Sequence, residues 1–180
     1  GEASLGQAQL EEALGLCRSA GDRWGEAQAL YRLGSFLADY HGDPAGRAML
    51  EKSAAILEDL GEKYYSSGVM ISLGIVDTGY GDYAAACAHF EHGLALACEI
   101  SHPWGMADAL TNLGCVYRIL GEYSTAQSHL EKALQVYQEH GRSMWETDVR
   151  CALAENALSQ GDLSTAQLHL QAASNLLGTS

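Results

Sequence analysis

The stretch that decides the fold runs from residue 113 to residue 130 and reads LGCVYRILGEYSTAQSHL. It contains a Leu-Gly pair, a Gly-Glu-Tyr triplet, a small residue at Ala126 and an apolar residue at Leu130. Self-similarity at a fixed period is the signature of a repeat protein, in which each copy builds the same unit. The Leu-Gly pair recurs every 40 residues, as Leu33-Gly34, Leu73-Gly74 and Leu113-Gly114, with Leu153-Ala154 as the fourth copy.

Two further columns keep the same period. Apolar residues occupy Leu10, Leu50, Phe90, Leu130 and Leu170, and small residues occupy Gly6, Gly46, Ala86, Ala126 and Ala166. These columns predict one domain over 1-180, with a half repeat at 4-20 and four repeats at 21-60, 61-100, 101-140 and 141-180. Since the half repeat lacks its own first helix, we expect the chain to be a piece of a longer protein with a longer array.

The apolar spacing inside each repeat is helical. Leu30, Leu33 and Leu37 follow the i, i+3, i+7 rule, and no segment alternates as a strand would. Each repeat therefore predicts two helices, called A and B, and Asp43-Pro44 is a typical helix start. The predicted fold class is an all-α right-handed solenoid of stacked helix-turn-helix repeats with about nine helices. The predicted A helices lie near 24–40, 63–80, 103–120 and 144–160, and the B helices near 4–20, 44–60, 83–100, 123–140 and 163–177.

The glycines inside the A helices indicate close helix contact. Glycine within a helix costs about 0.5–1 kcal/mol relative to alanine, so a column of glycines needs a reason. We expect Gly34, Gly74 and Gly114 to face the small residues at 46, 86 and 126 on the B helices. Small residues at both positions let the two helix backbones approach each other. The apolar residues at 50, 90 and 130 then fill the remaining space between the A and B helices.

Charge and composition exclude several classes of protein. The chain of 180 residues has 23 acidic and 10 basic residues, a net charge of −13. This surface is repelled by nucleic acid and by anionic membranes, so we predict no direct contact with either. No apolar run is long enough to span a membrane. Five cysteines without a CxxC pair indicate reduced thiols and a cytoplasmic location.

No residue pattern supports an enzyme, a cofactor or a metal. The segment Gly79-Tyr80-Gly81-Asp82-Tyr83-Ala84 matches a dinucleotide fingerprint, but it lies in a turn between helices and lacks the preceding strand. His89, His129 and His169 occupy the same position in successive repeats. Because they lie on different B helices, we expect a helix-packing distance between them, which is too large for a common zinc ion. We therefore interpret the histidines as a solvated or half-exposed face. We therefore predict that the chain is not an enzyme and that it binds neither a cofactor nor a metal.

The recurring residues resemble a known family. Leu-Gly, Tyr117, Gly-Asp/Glu-Tyr and the small residues that follow are similar to the tetratricopeptide repeat, whose usual period is 34 residues. Long repeats of this kind resemble those of kinesin light chains and of bacterial signalling ATPases. Residues 21–30 (GDRWGEAQAL) and 102–110 (HPWGMADAL) look most like the repeat arms of maltose-regulator-like transcription regulators.

The resemblance implies that the A helices line a concave face that binds a protein or peptide. Asn112 is the sharpest candidate, because an amide both donates to and accepts from a peptide backbone. A carboxylate clamp would need several cations, and only Arg32 and Arg118 are present. The implied binding residues are Gln28, Tyr31, Arg32, Ser35, Asp39, Ile71, Ser72, Ile75, Thr78, Asp108, Thr111, Asn112, Cys115, Arg118, Asp148, Cys151, Glu155 and Ser159.

The predicted function is a protein or peptide interaction module, the sensor or scaffold arm of a larger cytoplasmic bacterial signalling or transcription regulator. The alternatives are a structural spacer or self-association arm with an unoccupied groove, and a sensor of a peptide or small-molecule signal. Uncapped repeat ends favour self-association.

Aromatic residues begin the A helices, and we interpret them as core at the repeat junctions, with Tyr65 and Trp145 as exceptions. These residues are Trp24, Tyr64, Trp104 and Trp145.

Overall fold

A computed structural model describes residues 2–41, 44–141 and 143–178, and within them the side chains of 5–38, 44–141 and 144–178. These residues form nine α-helices and no strand. The helices are α1 (Glu2–Ala20), α2 (Arg23–His41), α3 (Pro44–Leu60), α4 (Lys63–Tyr80), α5 (Tyr83–Glu99), α6 (Pro103–Ile119), α7 (Tyr123–Glu139), α8 (Ser143–Ser159) and α9 (Leu163–Gly178).

The all-α prediction is confirmed, and every predicted helix begins and ends within two residues of an observed one. The A helices are α2, α4, α6 and α8, and the B helices are α1, α3, α5, α7 and α9. Pro44 begins α3 as predicted, whereas its predicted cap, Asp43, lies outside the described residues. Pro103 begins α6 in the same way, and Nδ1 of His102 caps that helix by accepting from the backbone N–H of Gly105 at 3.3 Å.

The chain divides into two compact units, Gly1–Leu96 and Ala97–Ser180. In the first unit, α2 packs against α1, α3 and α4, and α3 also packs against α4. In the second unit, α6 packs against α7 and α8, and α8 also packs against α7 and α9. Within each unit, therefore, consecutive A helices contact each other directly. The single domain over 1-180 stays a prediction.

The turns between helices depend on a left-handed residue. Gly61 has a φ of 68° and Gly121 a φ of 80°, values that most residues with a Cβ avoid. Ser101 takes the same conformation with a φ of 51°, although it is not glycine. This requirement explains why glycine recurs at the helix ends. The other turn glycines with positive φ are Gly21, Gly81, Gly141 and Gly161.

The helix glycines mark close A–B contacts, as predicted. A Cβ at Gly34 would lie 2.9 Å from the carbonyl oxygen of Gly46, so these two backbones touch. A Cβ at Gly114 would lie 2.6 Å from Cγ of Leu130 and 3.2 Å from the carbonyl oxygen of Ala126. At Gly74 the nearest atoms belong to the ring of Phe90, at 2.6 Å, rather than to the small residue at 86. The large apolar residue of the B helix therefore occupies the space that each glycine leaves open.

None of the helices in the described residues combines the length and the apolar character that crossing a membrane requires.

Candidate functional site

Apart from the buried Ile71 and from Asp39, whose side chain is not described, the predicted binding residues are exposed or half-exposed along one side of the A helices, which we call the A-helix face. In α2 the buried residues Ala27, Leu30 and Leu33 alternate with the half-exposed or exposed residues 28, 31, 32 and 35. Because this alternation follows the helical period, the half-exposed and exposed residues form a continuous stripe along α2. The stripe runs over α2 and α4 in the first unit and over α6 and α8 in the second.

In the first unit, two contacts join α2 to α4 on this face. Oγ of Ser35 lies 3.4 Å from Oγ of Ser72. Tyr31 packs over Gly68, where an added Cβ would lie 3.1 Å from the phenol oxygen. Nε2 of Gln28 is buried and has no acceptor among the described residues, and Arg32 is exposed. The face therefore presents the cation of Arg32 beside the α2–α4 contact, while the amide donor of Gln28 lies beneath the surface.

Two of the predicted residues of this unit, Ile71 and Thr78, do not present a free polar donor. Ile71 is buried and belongs to the core. The hydroxyl of Thr78 donates to the carbonyl oxygen of Gly74 in its own helix at 2.8 Å. The side chain of Asp39 lies outside the described residues. Ile75, in contrast, is exposed on the face.

Aromatic side chains at the start of α2 and α4 form an exposed group, the aromatic cluster, made of Trp24, Tyr64 and Tyr65. Trp24 is 46% exposed and Tyr64 is 50% exposed. The ring of Tyr65 lies 5.7 Å from that of Trp24 and 5.2 Å from that of Tyr64, both edge to face. The junction-core interpretation is therefore wrong for Trp24 and Tyr64, because these rings pack on a neighbouring aromatic ring instead of beneath a helix. Trp145, a predicted exception, is also about half exposed.

In the second unit, Asn112 is tied to its own helix. Its Nδ2 donates to the backbone carbonyl of Asp108 at 2.9 Å and to Oδ1 of Asp108 at 3.2 Å. Solvent reaches Asp108, yet the loss of hydration among the surrounding helices raises the pKa of its carboxyl, and the bond from Asn112 lowers it by a smaller amount. The side-chain N–H group of Asn112 therefore already donates within its own helix. Its side-chain oxygen can still accept a hydrogen bond from a partner.

The residue that the sequence analysis missed is Tyr137 of α7. Its side chain is buried, and its phenol hydrogen-bonds with Thr111 and lies near Asp108 and Asp148. Burial first, and then the two carboxylates, raise the pKa of this phenol well above its ordinary value. A B-helix residue therefore reaches through to the A-helix face. The sequence signal that could have identified it is a polar aromatic residue at a repeat position that holds the apolar residues Leu57 and Ala97 in other repeats.

Arg118 is paired rather than free. One of its terminal nitrogens lies 2.9 Å from Oε2 of Glu155, which joins α6 to α8, while its buried Nε has no acceptor among the described residues. Burial raises the pKa of the neighbouring Cys115 thiol, and Arg118 lowers it by less. Ser159 donates to the carbonyl of Glu155 at 2.9 Å, Cys151 is half-buried and Asp148 is exposed.

A separate polar network lies in the first unit and joins three helices. Asp77 of α4 is fully buried and accepts hydrogen bonds from Arg47 of α3 and from Nδ1 of His89 of α5, the latter at 2.6 Å. Hydrogen bonds to Asp77 and then to Glu51 raise the pKa of Arg47. His129 instead stacks on Tyr117 with 5.4 Å between ring centres. Among the described residues, no three His, Cys, Asp or Glu side chains are placed to hold one metal ion.

Comparison with known proteins agrees with this geometry. Residues 105–177 match the family model described as tetratricopeptide repeat. No curated protein sequence matches the chain.

Solved structures extend the likeness over nearly the whole chain. BtubC (BKLC) from P. vanneervenii is 15% identical with a TM-score of 0.85, over 99% of this chain and 74% of that one. A putative kinesin light chain from Podosopora anserina is 14% identical with a TM-score of 0.74, over 99% and 89%. The MamA protein is 18% identical with a TM-score of 0.63, over 94% and 91%. Identities this low show the fold alone, and they confirm the all-α solenoid class.

Proposed function

We propose that the chain is a non-enzymatic interaction module whose A-helix face binds an extended segment of a protein partner. Tetratricopeptide repeats imply a protein-interaction scaffold. We assign the module to the sensor or scaffold arm of a larger cytoplasmic bacterial signalling or transcription regulator. Residues 21–30 and 102–110 support that finer assignment by their resemblance to such arms.

The aromatic cluster is the observation that carries this proposal. Half-exposed Trp and Tyr side chains are enriched at protein interfaces, because they bury a large area with few rotatable bonds. Trp24 lies four residues before Gln28, so helical spacing places the cluster at the beginning of the same stripe. An apolar anchor next to the exposed Arg32 suits a peptide with both apolar and acidic or polar groups.

Photo-crosslinking tests which face is used. We would place a photoreactive phenylalanine derivative at Arg32 or Asp148 on the A-helix face, and in matched controls at the exposed B-helix residues Glu91 or Lys132. Crosslinking in lysate of the source organism should yield the same partner from the first two positions and nothing from the controls. Crosslinks from the B-helix positions alone would contradict the proposal.

The captured partner then allows a binding test. Trp24→Ala and Asn112→Ala should each weaken binding by about 1 kcal/mol or more, as truncation of central interface residues does, without lowering the melting temperature. Lys132→Ala, an exposed change away from the face, should alter neither quantity. Titration calorimetry and thermal melts measure the two quantities. Equal loss in all three variants would contradict the proposal.

One observation favours the self-association alternative. Leu163, Leu170 and Leu177 of α9 are spaced seven residues apart and are 71%, 47% and 66% exposed. Their equivalents in α7 include Leu130 and Tyr137, which are buried. Since seven residues are close to two helical turns, the three leucines form one apolar stripe. A sensor of a peptide or small-molecule signal would use the A-helix face instead.

A further inference from the structure

A pocket of about 210 Å³ opens in the first unit between α3, the first half of α4 and α5. Its lining includes the apolar side chains of Ala54, Leu57, Met70 and Leu96. The B helices α3 and α5 form two of its walls, and neither carries a residue of the A-helix face. The pocket is therefore a separate feature of the surface.

Two carboxylates lie at this pocket, those of Glu58 and Glu62. Glu58 is exposed at the end of α3, and Oε1 of Glu62 accepts from the backbone N–H of Tyr64 at 3.1 Å. Lys63, Ser66 and His92 are the other polar residues of the lining. With His92 neutral, Glu58 and Glu62 against Lys63 give the lining residues a net charge of −1, which favours a cationic ligand.

Two of the equivalent contacts between a B helix and the next A helix are bridged by side chains of the chain itself, whereas at α5–α6 the same positions hold Cys98 and Met106. Between α1 and α2, Nε of Arg18 donates to Glu26 at 2.7 Å. Between α7 and α8, Nε2 of Gln138 donates to Glu146 at 3.1 Å. Each bridge joins the last turn of a B helix to the first turn of the next A helix.

At the α3–α4 seam the two bridging positions hold Glu58 and Ser66, which lie 40 residues after Arg18 and Glu26. Oγ of Ser66 donates to the carbonyl oxygen of Glu62 at 2.6 Å. The serine is too short to span the seam, and Glu58 is an acceptor where Arg18 is a donor. The pocket thus occupies the place that a basic side chain would bridge.

We propose that this pocket receives an arginine side chain of a protein partner. Its size supports one side chain, since small-molecule sites usually measure about 300–1,000 Å³. Arginine combines an apolar stem, which suits the apolar lining, with a planar guanidinium that pairs with carboxylates. The Arg18–Glu26 pair shows that the first repeat holds a guanidinium against a carboxylate at the equivalent place, although there the carboxylate stands at the position of Ser66. The net charge of −13 favours encounter with a basic partner.

The probe for this site is N-acetyl-arginine N-methylamide, titrated into the full chain and followed by amide chemical shifts. Saturable shifts should appear at Ser66, Met70 and Leu96. The citrulline analogue lacks the charge and the norleucine analogue lacks the polar group, and each should bind at least about tenfold more weakly, equivalent to about 1.4 kcal/mol. Absence of saturable shifts, or equal binding of all three compounds, would overturn the proposal.

Variants locate the interaction. Glu58→Gln should weaken arginine binding about three- to tenfold, the range expected for a partly exposed charged hydrogen bond. Glu91→Gln removes the same charge from an exposed position of α5 outside the pocket lining and should leave affinity unchanged. An equal loss of arginine affinity in both variants would show that only the net charge of the chain matters, and it would overturn the proposal.

The double variant Glu58→Arg with Ser66→Glu recreates the Arg18–Glu26 bridge inside the pocket. It should abolish arginine binding while the melting temperature is maintained. Persistent binding would place the arginine elsewhere and overturn the proposal. Trp24→Ala should leave this binding unchanged, so failure here and failure of the A-helix face are distinguishable.

Discussion

At the scale of single residues, Gly34 and Gly46 are the helix glycines whose added Cβ would lie closest to the backbone of a neighbouring helix. An added Cβ at Gly46 would lie 2.7 Å from the carbonyl oxygen of Gly34 and 2.7 Å from the backbone nitrogen of Ala38. Backbone atoms cannot move aside as the end of a side chain can. We expect Gly34→Ala and Gly46→Ala each to destabilise the protein by about 1–3 kcal/mol through overpacking, measured by urea unfolding.

Gly79→Ala is the matched control. Gly79 is helical, and nothing lies within 4 Å of an added Cβ. This change should stabilise by about 0.4–1 kcal/mol, because alanine loses less backbone entropy on folding. Gly74→Leu and Gly114→Leu add more bulk against Phe90 and Leu130 and should cost several kcal/mol. Similar effects at Gly34 and Gly79 would show that the close contacts do not limit packing.

His102 gives the second residue-scale prediction, a pH dependence. Its Nδ1 accepts from the N–H of Gly105, and burial lowers its pKa below the ordinary value of 6.5. The unfolded chain therefore binds this proton more readily, so stability should fall as pH drops through about 6.5 and level off below the folded pKa.

His102→Asn keeps a capping acceptor that does not titrate in this range. Urea unfolding at pH 7.5 and at pH 5.5 should give a smaller difference for the variant than for the wild type. An unchanged difference would assign the pH dependence to other groups.

At the scale of helices, the network of Arg47, Asp77 and His89 joins α3, α4 and α5. Arg47→Met leaves the buried carboxylate of Asp77 with only His89 and should cost about 3 kcal/mol, near the lower end for breaking a buried pair. The double variant Arg47→Met with Asp77→Leu should recover most of that stability, because Leu37 occupies the same position in the first repeat. Urea unfolding compares the variants. A double variant as unstable as the single one would show that the charge was not the cause.

The helices themselves were predictable from the sequence. Glycine at the turns and the 40-residue period located each helix to within two residues, because left-handed turns and apolar stripes depend on local sequence. The network was not predicted, since an acidic side chain at position 77 gives no sign of which neighbour reaches it. The only signal was a carboxylate in a column that holds Leu37, Tyr117 and Ala157.

At the scale of the whole molecule, the sequence predicted the fold class and the stripe of the A-helix face. It failed where a side chain's environment depends on another helix. Trp24 and Tyr64 are half exposed and pack edge to face on Tyr65, and Tyr137 reaches the face of another helix. Neither fact follows from periodicity, which gives the direction of a side chain but not what lies opposite.

The apolar stripe of α9 gives the whole-molecule prediction. If Leu163, Leu170 and Leu177 bind a second copy, sedimentation equilibrium should show an average mass that rises with concentration. Leu163→Glu should restore the monomer without unfolding the chain, because an exposed leucine contributes little to the core. Gln171→Glu, which adds the same charge at another exposed position of α9, should leave association unchanged. A wild-type chain that is monomeric at all concentrations would exclude the self-association alternative.

The packing within each unit also bears on how fast the chain folds. Every pair of contacting helices there consists of neighbours or next neighbours along the chain. Folding rates rise when contacts are close in sequence, because short loops lose little entropy on closing. Each unit should therefore refold within milliseconds of dilution from urea, from whichever helix pair forms first, with no slow search for distant partners.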